Sequence, residues 1–141
     1  MNNFNKVVTD KYQIVALENP LLRTLNLSGL SQAFIKSLRN LDYILHHDAE
    51  GELNPQDIST ARRLVVKKLW EGLNGTNPRL PNLTPEEVPE GMQRSFKFVD
   101  RLKKAIWKVI HDGHQEKVKN KQEDSQRFAA FLNSLKQTVE V

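Results

Sequence analysis

Apolar residues recur along this chain at spacings of three and four, the period of an amphipathic helix and not of a strand. Phe4, Val7, Val8, Tyr12, Ile14, Val15 and Leu17 predict a first helix, closed at Asn19-Pro20 because the residue before proline avoids the helical region. Residues 21–27 leave room for one short helix before Ser28-Gly29. Ser31 reads as the N-cap of a second main helix whose buried face is Phe34, Ile35, Leu38, Leu41, Ile44 and Leu45, ending near His46-His47. Asn54-Pro55 and Asp57 announce a third, which buries Ile58, Ala61, Val65, Leu69 and Leu73 and is capped at Gly75. Residues 74–91 then carry prolines at 78, 81, 85 and 89, a long connection for a small domain unless it packs as an extended arm or serves as a binding loop. Thr84-Pro85-Glu86-Glu87 has the composition of a single helical turn within it.

The next stretch, residues 92–111, organises the rest. Met92, Phe96, Val99, Leu102, Ile106, Val109 and Ile110 share one side of a helix, and Arg94, Lys97, Arg101, Lys104 and Lys108 line nearly the opposite side. Gly113 predicts its end. Residues 114–124 are strongly charged, and Phe128, Phe131, Leu132, Leu135 and Val139 mark a last helix. Its start is either at Ser125 or continuous from His114. No segment alternates apolar and polar residues in the manner of a strand, so the expected fold is all-α. It is a single domain over residues 1–141, a bundle of about five helices with a long proline-rich connection and no internal repeat.

Composition narrows the chemistry. A chain of 141 residues suffices for one domain with its own core. Cysteine is absent, which excludes disulfides, thiolate metal sites and cysteine nucleophiles. No apolar run reaches the length of a membrane span, and the first residues lack the apolar core of a signal peptide, so a cytoplasmic protein is expected. The Asn-x-Thr sequences at Asn74 and Asn82 are then accidental. Net charge is +4, unevenly spread: residues 1–91 hold ten basic and eleven acidic side chains, residues 92–141 eleven and six. The excess sits in the C-terminal part and points to nucleic acid, an acidic protein or an anionic surface.

The stripe on the fourth main helix is the strongest functional signal. Within residues 92–111 six cations, Lys103 included, stand against Asp100 alone. An ordinary solvated face mixes signs, because like charges one turn apart oppose the helix by a few tenths of a kcal/mol. Lys97/Arg101 and Lys104/Lys108 are such pairs, and a row that opposes its own helix points to an anionic partner. Arg63 and Lys67 lie on the outer face of the third helix, flanked by Arg62 and Lys68. Histidine gives no comparable signal. His46-His47 and His111/His114 fall at expected helix C-termini, where they complement free carbonyls, and neither cluster has the spacing of a metal-binding helix. The acidic turn at residues 48–54 lacks the ligand spacing of a calcium loop. Trp70 and Trp107 read as packing residues, Trp107 at the edge of the apolar face. No nucleophile elbow or phosphate-cradling glycine loop occurs, so no enzyme activity, metal or cofactor is expected.

A short, cysteine-free, basic, all-helical chain with the stripe Arg94, Lys97, Arg101, Lys104, Lys108 and the outer cations Arg62, Arg63, Lys67 and Lys68 resembles the helical small subunit of CRISPR surveillance complexes. The resemblance is one of overall character and rests on no sharp motif. It implies a non-catalytic subunit of an antiviral ribonucleoprotein. Such a subunit packs side by side in more than one copy along a protein–RNA filament and holds a DNA strand or an RNA–DNA hybrid by its backbone. Read from the residues alone, the basic face also suits a helical adaptor docking on an acidic protein. Attachment to anionic lipid is disfavoured, because the large apolar residues of that helix are needed for a core.

Overall fold

The computed structural model describes residues 29–47, 55–92, 96–119 and 125–140 of the chain. Four α-helices and two 3-10 turns make up the regular structure of these residues, with no strand among them, so the fold is all-α. The helices are α1 (Gln32–His47), α2 (Pro55–Asn74), α3 (Phe96–Lys119) and α4 (Ser125–Glu140). The helices expected over residues 4–17 and 21–27, the acidic turn at residues 48–54 and the join at residues 120–124 lie outside the described residues.

Two helix pairs form the bundle, α1 against α3 and α2 against α4, and α2 also crosses α3. Side chains from all four helices enter one core. Phe34 of α1 is wholly buried and meets Phe131 of α4 edge-on, with ring centroids 5.2 Å apart and an interplanar angle of 83°. Phe128 lies 6.0 Å away from the same ring. Leu102, Ile106, Val109 and Ile110 of α3 and Leu73 of α2 are likewise sealed from solvent. The expected face of α1 is buried in full, and that of α2 is buried except for half-exposed Ile58, with Val66 added.

The main departure from expectation is α3. It does not stop at Gly113 but runs through it to Lys119. A glycine inside a helix is unfavourable by about 1 kcal/mol relative to alanine, which is why it reads as a terminator. Here the missing side chain permits the crossing. A Cβ on Gly113 would stand 2.2 Å from Leu73 Cδ2, and one on Gly72 would stand 2.3 Å from Ile110 Cδ1. These two glycines let α2 and α3 approach at the core. Met92, placed on the apolar face by periodicity, instead ends a 3-10 turn (Glu90–Met92) ahead of the helix. Gly75 follows α2 without the left-handed backbone of a glycine cap.

The added turns of α3 cap two neighbours. Ser31 is the N-cap of α1, its Oγ accepting the Phe34 N–H at 3.3 Å. The Ser31 N–H donates to Glu116 Oε1 of α3 at 3.0 Å. At the other end of the crossing, His114 Nε2 donates to the Gly72 carbonyl at 2.8 Å, and Lys117 Nζ reaches the Leu73 carbonyl at 3.4 Å. Free carbonyls at the end of α2 are thus satisfied from α3.

The segment after α2 is anchored on the bundle through residues 83–88, whereas residues 76–80 are exposed. Leu83 and Val88 are buried in the core cluster, although Leu80 is exposed. A 3-10 turn (Pro85–Glu87) follows Thr84, whose backbone N–H and hydroxyl both donate to Glu87 Oε1, at 3.0 and 3.1 Å. Lys68 of α2 clasps the other oxygen of Glu87 at 3.0 Å. The Thr84 amide, then Lys68, hold the Glu87 carboxyl below its ordinary value of 4.5. A depressed folded-state pKa means that the contribution is complete above the unfolded value and is lost as pH falls through the folded one. Thermal melts should therefore show no effect of Glu87 between neutrality and about pH 4.5, then a decline on further acidification. The variant Glu87→Gln should lack this part of the decline. An acid profile identical in variant and parent would mean that the clasp does not hold in solution.

Candidate functional site

Helix α3 is buried on most of its circumference, by α1 on one side and α2 on another. Its exposed residues are Asp100, Arg101, Lys104, Lys108, His111, Gln115, Lys117 and Val118, and Arg101, Lys104, Lys108 and His111 form a ridge along one side. Arg101, Lys104 and Lys108 are exposed as the periodicity predicts. Arg94 and the side chain of Lys97 lie outside the described residues, although Lys97 belongs to the first turn of α3 and is in register with the ridge.

The charge on the ridge is less opposed to its helix than the sequence implied. Lys104 Nζ pairs with Asp100 at 3.0 Å, one turn back. Lys108 Nζ pairs with Asp112 Oδ1 at 3.2 Å, one turn forward. Asp112 falls just past residues 92–111, so a charge count confined to that stretch misses its i,i+4 relation to Lys108. The Lys104 pair is open to water on both sides and adds little stability. The Lys108 pair differs. The Asp112 side chain is only 8% exposed, its Oδ2 is buried without a hydrogen bond, and Lys108 and His111 supply the charge and donors at Oδ1. Lys108 therefore has a structural duty beside any binding role.

Arg63 and Lys67 are exposed on α2, as expected, but they do not join the ridge. Arg101 is nine residues from Ile110, about two and a half turns, so it faces away from the point where Ile110 meets Gly72. Arg63 is likewise nine residues from Gly72 and faces away from the same contact. The two cation sets thus lie on opposite sides of the α2–α3 crossing. Flanking Lys68 is half-buried and committed to Glu87, and Arg62 is partly buried.

The remaining candidates separate in the same way. His111 and His114 are not at a helix end. His111 is exposed on the ridge, with Nδ1 3.5 Å from Asp112 Oδ1, whereas His114 is buried against α2. The side chains of His46 and His47 lie outside the described residues. Among the described residues no three His, Asp or Glu side chains converge as a metal site, and no helix is long and apolar enough to cross a membrane. Trp70 and Trp107 are half-buried and pack on the core. The indole of Trp107 also lies beside the His111 ring, centroids 6.1 Å apart and planes at 55°. Compared with known proteins, the chain matches no family model, no curated protein and no solved structure.

Proposed function

We propose that this chain is a non-catalytic subunit that binds the nucleic-acid backbone within a larger ribonucleoprotein, laying the α3 ridge along the phosphates of a single strand or an RNA–DNA hybrid. In its finer form the protein is the small subunit of a CRISPR-type surveillance complex, working in the cytoplasm beside other protein subunits. It would be a bundle of about five helices, with residues 74–91 as a proline-rich connection. The observation that supports this reading is the exposed row Arg101, Lys104 and Lys108, on a helix whose apolar face is buried in the core. From Lys97, in the first turn of α3, to Lys108 the row extends over roughly 16 Å at about 1.5 Å per residue, enough to follow several phosphates.

Such contacts fix position without reading bases, and four or five neutralised phosphates on a single strand give a slope of log affinity against log salt of about −3. Fluorescence anisotropy with labelled oligonucleotides of different base order should return that slope for all of them. A salt-independent affinity, or a strong preference among sequences, overturns the proposal. A second reading, a helical adaptor docking its basic face on an acidic protein, draws on exposed Arg79 and Leu80 within the proline-rich arm. The adaptor reading gains if no oligonucleotide binds even at low salt.

A further inference from the structure

The ridge carries an aromatic group that a purely electrostatic contact does not need. We infer that His111, backed by Trp107, is a stacking platform for an unpaired base, so that the ridge takes single strands in preference to duplexes. The inference rests on the ridge reading above and adds a ligand class to it.

Seven residues separate Lys104 from His111, so the two lie nearly on one line along α3, with Lys108 set slightly to one side. A strand whose phosphates follow the lysines therefore passes the imidazole. The His111 side chain is 46% exposed and open to a passing strand. The ring is also held in place. Asp112 Oδ1 stands 3.5 Å from Nδ1, and the Trp107 indole, packed on the core, stands 6.1 Å from the imidazole centroid. A ring fixed on two sides and open on the rest loses little freedom when a base settles on it. Imidazole stacks on nucleobases whether or not it carries a proton, and every base offers a face, so the contact adds affinity without sequence preference. Bases inside a duplex are already stacked and paired, and they cannot reach the platform.

The test compares the parent with His111→Ala, His111→Phe and the ridge variant Arg101→Glu/Lys104→Glu. Three labelled probes serve: a short oligothymidylate, an abasic backbone of equal length, and a duplex. His111→Ala should weaken oligothymidylate binding about tenfold, leaving the abasic and duplex affinities and the salt slope unchanged. His111→Phe should restore the lost affinity, because phenylalanine keeps a stacking face but not the Asp112 contact. If His111→Ala binds oligothymidylate as the parent does while the ridge variant fails, the platform is refuted and the ridge stands. A phenylalanine that does not rescue assigns the effect to the Asp112 contact and also refutes stacking. A parent that binds no probe overturns both readings together.

Discussion

Truncating Phe34 to alanine is expected to destabilise the protein by about 3–5 kcal/mol, a large share of the roughly 5–15 kcal/mol typical of a small domain. Phe34 is fully buried and is the side chain through which α1 meets α4, edge-on to Phe131 and near Phe128. It also bears on the α2–α3 crossing, since a Cβ on Gly113 would lie 3.3 Å from its Cε1. Removing the ring leaves a cavity bordered by three helices, and the close approach at Gly72 and Gly113 restrains them from collapsing into it. Denaturant unfolding should show a lower midpoint with an unchanged slope, the sign of lost stability without a changed unfolded state. A loss below about 1 kcal/mol would show that α1 does not sit against α4 as described.

The parts of this fold that were legible in the sequence are those that depend on one helix at a time. The buried face of α1, its N-cap Ser31 and the exposure of Arg101, Lys104 and Lys108 all follow from a period of 3.6 residues and a local cap. The parts that were not legible depend on what a second helix brings. Gly113 is a terminator when α3 is considered alone and a contact point once Leu73 lies against it. Glu116, His114 and Lys117 read only as part of a strongly charged stretch ahead of or opening the last helix, yet they cap α1 and α2, and their partners are 85, 42 and 44 residues away along the chain. The same limit applies to the candidate site. Periodicity shows that Arg63 and Lys67 face outward, but only the α2–α3 crossing shows that they face away from the ridge.

The variant Arg101→Glu/Lys104→Glu is expected to lower nucleic-acid affinity at least about a hundredfold at 0.1 M salt, with its melting temperature nearly unchanged. Each phosphate neutralised on a single strand carries about 0.7 of the salt slope, worth about fivefold at 0.1 M relative to 1 M. Loss of two contacts thus amounts to about 25-fold, and the new negative charges repel the strand further. Stability should hold because both side chains are exposed and the Lys104–Asp100 pair is open to water. A glutamate in place of Lys104 would face Asp100 one turn away, a like-charge pair unfavourable by only a few tenths of a kcal/mol. Lys108 must be left intact in this test. Its reversal would set a second negative charge against buried Asp112, and Lys108→Glu alone should destabilise the fold by about 1–2 kcal/mol. Anisotropy and thermal melts on the same samples separate the two effects. If Arg101→Glu/Lys104→Glu melts like the parent and still binds oligonucleotides equally well, the ridge is a solvated face and the adaptor reading replaces it. If it loses binding while Lys108→Glu chiefly loses stability, the side chains of one ridge divide between holding a strand and holding the fold.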